Sequence, residues 1–193
     1  MDLKTLRTLS IAGALLLCCA VYSGTASAQA VQKQFVADFG AAYTQATVTK
    51  AQGGMLGIDV SIARMFTNNL SAGLAIGYDI VSYRQNGDIY ERLAVIPVLA
   101  KAKYYFTIAP SMQLHAALAA GGYQTLPHLG TDAVGGVTES KLNFGVGAGA
   151  GFDYWAFGTM GLGAEFEYNF FDTGAEDLFS YFAIRLNFIV LRT

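Results

Sequence analysis

After residue 28 the sequence has no cysteine and no run of 18 apolar residues, although the chain is hydrophobic on average. Its two cysteines, Cys18 and Cys19, both lie before that point, so the rest of the chain has no thiol for a disulfide or a nucleophile. A helix needs about 20 consecutive apolar residues to cross a bilayer, and the missing run therefore excludes a membrane-spanning helix. Apolar composition without long apolar runs is typical of a transmembrane β-barrel.

Charge is also scarce, and neither sign dominates. The first 28 residues contain Lys4, Arg7 and Asp2, which leaves ten basic and thirteen acidic residues in the remaining 165, a net charge of −3. Proteins that bind nucleic acid through its phosphates usually have a clear excess of basic residues, so this balance does not predict that activity. A chain of 165 residues is the size of one domain.

The first 28 residues have the pattern of a secretory signal peptide. A positively charged start is followed by a short apolar stretch at 11–21, and Ala-Ser-Ala at 26–28 is the arrangement that signal peptidase cleaves. We predict cleavage after this tripeptide, with a weaker alternative site at 28–30. Residues 1–28 are then a signal peptide, and residues 29–193 form one β-barrel domain.

Apolar residues alternate with small or polar residues from position 142 to position 154. The even positions are Leu142, Phe144, Val146, Ala148, Ala150, Phe152 and Tyr154, and the odd positions are Asn143, Gly145, Gly147, Gly149, Gly151 and Asp153. Successive side chains of a strand point to opposite faces, so this segment has one apolar face and one small, polar face. The second face could not form a dry packed core, and we therefore expect the apolar face to point outward into lipid.

The same alternation recurs along the chain and predicts an all-β fold, an eight-stranded antiparallel up-and-down transmembrane β-barrel. The predicted strands are 34–45, 54–66, 70–84, 92–106, 112–124, 141–155, 161–171 and 178–190. Short connections are predicted at 67–69, 107–111 and 157–159, and longer ones at 46–53, 85–91, 125–140 and 172–177. Outer-membrane barrels have short periplasmic turns and longer outer loops, so we assign the short connections and both chain ends to the periplasmic side.

Two segments of the fourth predicted strand, Ile-Pro-Val at 96–98 and Lys-Tyr-Tyr-Phe at 103–106, resemble the small eight-stranded outer-membrane β-barrel family of Gram-negative bacteria (porin-like, OmpX/OmpA-barrel type). The resemblance covers 29–193. It implies export to the cell outer membrane, contact with outer-membrane lipids and lipopolysaccharide, and insertion by the barrel-assembly machinery. Members of this family usually end on an aromatic residue, whereas this chain ends Leu-Arg-Thr. Either Phe188 serves from an internal position, or recognition by the machinery is looser here.

Aromatic residues gather toward the ends of the outward faces, as the interfacial girdles of membrane barrels require. The predicted girdle comprises Phe35, Tyr43, Phe66, Tyr104, Phe106, Tyr154, Tyr168, Phe170 and Phe188. Arg64 and Arg92 break the alternation, but each is near a strand end, where a long side chain can reach the headgroups.

The inward face carries most of the charge of the strands. The predicted polar core of the lumen comprises Asp38, Asp59, Asp79, Lys101, Lys103, His115, Asp153, Glu165, Glu167 and Arg185. Side chains can fill a barrel of eight strands, and unpaired buried charges are costly, so we expect ion pairs that plug the lumen. Six carboxylates against three lysine and arginine side chains predict that each cation is shared by more than one acid. A narrow path for ions and a catalytic pair at Glu165 and Glu167 are the alternatives.

The sequence does not predict an enzyme, a cofactor or a metal site. Some barrels of this size modify lipid A with histidine and serine, but neither His115 nor His128 begins a His-x-Ser sequence. We interpret the acidic segment 172–177 as a solvated surface. We expect a monomeric integral outer-membrane protein with a structural or surface-interaction role, whose specificity resides in its outer loops, above all 125–140. A narrow porin-like channel and a lipid A-modifying enzyme remain alternatives.

Overall fold

The computed structural model describes residues 34–47, 55–85, 89–127, 140–172 and 178–192, with the backbone alone at 82–85, 89–92, 127, 178 and 192. Its strands are β1 (Phe35–Ala46), β2 (Met55–Met65), β3 (Leu70–Gln85), β4 (Ile89–Ala109), β5 (Met112–Pro127), β6 (Lys141–Phe157), β7 (Met160–Asp172) and β8 (Leu178–Arg192). The described ranges contain no helix that is long and apolar enough to cross a membrane. The predicted signal peptide lies outside these ranges.

The eight strands form one closed barrel. Each strand pairs antiparallel with its neighbours in sequence, and β1 pairs with β8 to close the sheet. Closure gives every strand a hydrogen-bonding partner on both sides, which is the condition for crossing a lipid bilayer with strands. The predicted fold class, an eight-stranded antiparallel up-and-down barrel, is confirmed.

The β4 strand is longer at both ends than the sequence predicts. It runs Ile89–Ala109 instead of 92–106. The connection before it shrinks from the predicted 85–91 to 86–88, and the turn after it shrinks to 110–111. The predicted alternation of short and long connections is therefore wrong at the β3–β4 hairpin.

The longer β4 has a physical reason in its ladder with β3. Tyr83 pairs with Glu91, Arg84 pairs with Tyr90, and Gln85 pairs with Ile89, so backbone pairing continues through residue 85 and residues 89–91, which the sequence predicts as loop. These pairs lie at the end of the barrel, where polar residues are tolerated because headgroups and water are near. Polarity alone therefore does not end a strand at this depth.

The β3–β4 ladder is interrupted near its middle. Pairing stops at Ile76 with Val98 and resumes at Asp79 with Val95. Pro97 lies in this gap, and a proline has no backbone N–H to donate to a neighbouring strand. The β4–β5 ladder is continuous at the same level, so the gap is confined to one side of β4.

We call the end of the barrel with the connections 66–69, 110–111 and 158–159 the turn end, and the opposite end the loop end. Gly158 has a φ of 60°, a left-handed conformation that glycine adopts without steric cost. This glycine allows β6 to reverse tightly into β7.

The lumen has three levels. A turn-end cluster of buried apolar side chains comprises Val36, Met65, Tyr105, Trp155, Ile189 and Leu191. A loop-end cluster comprises Ala42, Ala46, Val81, Leu93, Val95, Leu99, Ala119, Tyr123, Phe171, Phe179, Tyr181 and Ala183. Charged and polar side chains lie between the two clusters. The outward face has the opposite character: Leu56 is 73% exposed and Phe144 is 77% exposed.

One part of the inner wall is made of very small residues. Three glycines of β6 pair with three polar residues of β7: Gly147 with Asn169, Gly149 with Glu167, and Gly151 with Glu165. A Cβ atom on Gly149 would lie 2.8 Å from the carbonyl oxygen of Phe166 and 3.1 Å from Glu165 Oε1. This small wall leaves room for the long side chains of β4 and β7 to meet inside the barrel.

Candidate functional site

All ten residues predicted for the polar core lie on lumen-facing positions, and every strand contributes at least one of them. Eight are buried, and Asp59 and Lys101 are half-buried. They are connected by the ion pairs and hydrogen bonds described below, and we call the ten residues the lumen network. Its members are distant in sequence, so closure of the barrel brings them together.

The two lysines of β4 reach different acids. Lys101 Nζ lies 2.6 Å from Glu165 Oε1 and 2.6 Å from Glu167 Oε2. Lys103 Nζ lies 2.8 Å from Asp38 Oδ2 and 3.3 Å from Glu165 Oε2. Glu165 therefore bridges the two lysines, and each lysine is shared by two carboxylates. Strand alternation places both lysines on one face of β4.

Arg185 of β8 joins three acids. Its Nη2 donates to Asp79 Oδ2 at 3.0 Å, and its Nη1 donates to Asp59 Oδ1 at 3.2 Å. Its Nε lies 3.6 Å from Glu167 Oε2. The Tyr181 hydroxyl donates to the same Asp79 oxygen at 2.9 Å. The guanidinium thus connects β8 to β2, β3 and β7, and its several N–H donors in one plane allow it to contact three acids.

His115 lies between two carboxylates. Its Nδ1 is 3.4 Å from Asp153 Oδ1, and its Nε2 is 3.2 Å from Glu165 Oε2. The Tyr105 ring packs against the imidazole edge to face, with 5.8 Å between ring centroids. The histidine therefore connects β5 to β6 and β7 within the network. Nothing in this arrangement presents a nucleophile to the imidazole.

The apolar clusters at the two ends of the lumen were missed by the sequence reasoning. Trp155 and Tyr105 are 1% and 2% exposed at the turn end, and Tyr123 and Tyr181 are fully buried at the loop end. The alternation rule could have found them, since each continues the inward face of its strand. Buried apolar side chains therefore lie on both sides of the charged level of the lumen.

All nine predicted girdle residues lie on the outward side, and none of the nine is buried. Tyr104 and Phe106 pack edge to face near the turn end, with ring centroids 4.9 Å apart. The ring centroids of Tyr168 and Phe170 lie 5.8 Å apart near the loop end. The two pairs lie toward opposite ends of the barrel, which is the arrangement expected of interfacial girdles.

The predicted alternative of a catalytic pair at Glu165 and Glu167 gains no support from the geometry. Both side chains are buried, and both contact Lys101. Among the residues that the structure describes, no group of three or more histidine, cysteine, aspartate and glutamate side chains is arranged to hold a metal ion. The buried ion pairs connect strands on different sides of the barrel wall.

No protein-family model matches the chain, and no curated protein matches it in sequence. Solved structures match in fold. The outer membrane protein OprG from Pseudomonas aeruginosa has a TM-score of 0.62 at 11% identity, over 87% of this chain and 99% of that one. Ail, the attachment invasion locus protein of Yersinia pestis, has a TM-score of 0.55 at 14% identity, over 84% of this chain and 100% of that one.

A designed barrel shows how general this likeness is. A de novo transmembrane β-barrel matches with a TM-score of 0.50 at 9% identity, over 85% of this chain and 99% of that one. At such identities the likeness concerns the backbone and not the activity. The resemblance predicted from the sequence is confirmed at this level: the chain has the fold of the small eight-stranded outer-membrane β-barrels.

Proposed function

We propose that this chain is an integral protein of the bacterial outer membrane with a closed lumen, and that its role is structural or a surface interaction through its outer loops. The observation that carries the proposal is the lumen network enclosed between the turn-end and loop-end clusters. An eight-stranded barrel is just wide enough for side chains to fill, and the buried charged residues between two apolar clusters support such a filled interior. The interior then serves as a folded core, and contact with other molecules is left to the outer surfaces.

The proposed location rests on the fold and on the outward face. Apolar side chains cover that face between two aromatic bands, as a bilayer requires. Expression in a Gram-negative host, followed by separation of the membranes and N-terminal sequencing, tests the location and the predicted signal peptide together. We expect the protein in the outer-membrane fraction, beginning at Gln29. A soluble periplasmic form with an intact fold would contradict the proposal.

The narrow channel is the main competitor, and conductance separates it from a closed core. The refolded barrel, reconstituted in a planar bilayer, is expected to give no single-channel steps, with a known porin as the control for the measurement. Insertion is verified by protease protection of the reconstituted protein. Reproducible steps from the inserted native barrel would favour the channel.

The segments that connect strands at the loop end are acidic. Residues 48–54, 86–88, 128–139 and 173–177 contain one lysine, Lys50, against Asp88, Asp132, Glu139, Glu176 and Asp177. Ail has been solved in complex with the heparin analogue sucrose octasulfate, a polyanion that such segments would repel. We propose that the surface partner is neutral or cationic. Labelled heparin is expected not to bind cells that display this barrel, and binding at physiological salt would contradict this part.

A loop deletion tests the surface role. Because β5 continues to Pro127 and β6 begins at Lys141, the deletion is best confined to 128–139, which leaves both strands whole. Cells that display the native or the deleted barrel are compared on an array of glycans and extracellular proteins, with replacement of 48–54 by a glycine-serine linker as the matched control. We expect the 128–139 deletion to abolish binding at equal surface expression. Unchanged binding would place the role elsewhere.

We further propose that the barrel is a monomer without enzymatic activity, that it contacts lipopolysaccharide, and that the barrel-assembly machinery inserts it. The burial of His115 between two carboxylates supports the absence of activity, and the apolar belt supports the lipid contact. Mass spectrometry of lipid A from expressing cells is expected to show no mass shift relative to an empty-vector strain. A shift would favour the lipid A-modifying alternative.

A further inference from the structure

A small cavity lies beside the lumen network, between β1, β2, β3 and β4. Its volume is about 10 Å³, and its lining includes Asp38, Ser61, Ser71, Lys103 and Tyr105. A space of this size holds about one water molecule, provided that two or more polar groups face it. About half of the lining is polar, unlike that of the dry cavities that aliphatic side chains enclose.

Two polar atoms of this lining lack a hydrogen-bond partner among the described residues. Asp38 Oδ2 accepts from Ser61 Oγ at 3.0 Å and from Lys103 Nζ at 2.8 Å, whereas Asp38 Oδ1 accepts from none of them. Ser71 Oγ lies near the Tyr105 hydroxyl, but it has no hydrogen bond of good geometry with the described part of the chain. Asp38 is 4% exposed and Ser71 is 1% exposed. Buried polar groups are rarely left in this condition.

The charges around the cavity decide which ligand fits. Lys101 and Lys103 line it and would repel a cation, and the Asp38 carboxylate would repel an anion. An apolar ligand would leave both polar atoms without a partner. We propose that this cavity binds one water molecule, which donates to Asp38 Oδ1 and forms a second hydrogen bond with the Ser71 hydroxyl.

The bound water completes the hydrogen bonding of Asp38. One oxygen of this carboxylate is held by a serine and a lysine, and the water holds the other. Through this bridge Asp38 on β1 is connected to Ser71 on β3, whose hydroxyl has no direct hydrogen bond to Asp38 Oδ1. The water is a positioning group for the Asp38–Lys103 ion pair, and the inference is independent of the proposed surface role.

A high-resolution crystal structure of the native barrel tests the proposal directly. We expect a water oxygen within about 3.2 Å of both Asp38 Oδ1 and Ser71 Oγ. An empty cavity, or a Ser71 hydroxyl bonded directly to Asp38 or Tyr105, would overturn it. A structure of the Ala63→Val variant is a second test, because Ala63 lines the same cavity and a larger side chain there would fill it. The larger side chain should displace the water.

Unfolding of the Ser71→Ala variant in detergent supplies a measurement in solution. If the water bonds to Ser71, the variant loses one hydrogen bond, and its unfolding constant should rise about 2- to 12-fold. Ser61→Ala, which removes a direct bond to Asp38, sets the scale in the same assay. An unfolding constant for Ser71→Ala equal to or below that of the native barrel would mean that the hydroxyl has no partner, and it would overturn the proposal.

Discussion

Replacement of Lys103 by methionine is the sharpest perturbation of the lumen network. The change removes one buried cation and keeps most of the side-chain volume. Lys103 lies 2.8 Å from Asp38 and 3.3 Å from Glu165, so the variant leaves two carboxylates without their shared partner. Lys50→Met removes the same charge from the segment 48–54, which connects β1 to β2.

The two distances give the size of the effect. With an effective dielectric constant of about 20, they correspond to attractions of roughly 6 and 5 kcal/mol. Desolvation of the three charges offsets much of this, and breaking a buried pair by removing one partner typically costs about 3–5 kcal/mol. We expect a loss of that size for Lys103→Met, against about 0.5 kcal/mol or less for Lys50→Met.

The assay is reversible unfolding of the purified barrel in detergent or lipid, with double variants that remove one acid at a time. Asp38→Asn and Glu165→Gln should each recover part of the loss at Lys103, because each removes a carboxylate that the missing lysine had paired. Glu167→Gln is the matched control, since Glu167 pairs with Lys101 and Arg185 instead. Glu167→Gln should recover little of the stability that Lys103→Met loses.

Two results would refute this reasoning. Equal stability of Lys103→Met and Lys50→Met would mean that water solvates the network charges, which favours the channel. Equal recovery by all three acid variants would mean that the lumen responds to total charge and not to specific pairs.

Three further predictions follow from the packing. Leu74→Arg, on the outward face, should lower the free energy of unfolding in lipid by about 2–4 kcal/mol. Single cysteines placed along 72–78 should react with a lipid-soluble probe at even positions only. Reaction at every position would contradict the assigned faces. Gly149→Ala should destabilise by about 1–3 kcal/mol because its new methyl group meets backbone, whereas Gly122→Ala meets a flexible leucine at 3.0 Å and should be milder in the same unfolding assay. Pro97→Val restores a backbone donor and should slow amide hydrogen exchange of the neighbouring β3 residues, measured by mass spectrometry; unchanged exchange would mean that the gap has another cause.

Much of this fold is predictable because one rule applies along the whole chain. The outer face of a membrane barrel must be apolar because it contacts lipid. Apolar residues therefore alternate with small or polar residues along each strand, and eight such segments indicate a barrel of eight strands. The rule weakens where the solvent changes. At Tyr90 and Glu91 the chain stays within a strand although the sequence predicts a loop, because polar residues are tolerated at the end of a barrel. Strand ends therefore could not be predicted as well as strand centres.

The lumen was predictable in composition but not in pairing. Counting inward charges indicates that each cation must serve several acids, and the structure shows each with two or three. Which acid meets which cation depends on the stagger of the strands around the barrel, which the alternation does not contain. The structure places Asp38 of β1 and Glu165 of β7 beside Lys103, a choice among six inward acids that the sequence alone does not predict.

The long sequence separations within the lumen network bear on how this barrel reaches its folded state. Asp38 and Lys103 are 65 positions apart, and Asp79 and Arg185 are 106 apart. Among the described residues, Lys101 and Lys103 of β4 form ion pairs with acids of β1 and β7 and with none of β3 or β5, so a half-inserted sheet would carry these two cations into hydrocarbon at about 2–4 kcal/mol each near the midplane. Insertion one hairpin at a time is thus disfavoured, and the barrel should cross the membrane with its strands largely assembled. The same charges that stabilise the finished barrel then disfavour incomplete intermediates. Variants that neutralise both members of an ion pair should insert faster and form a less stable barrel.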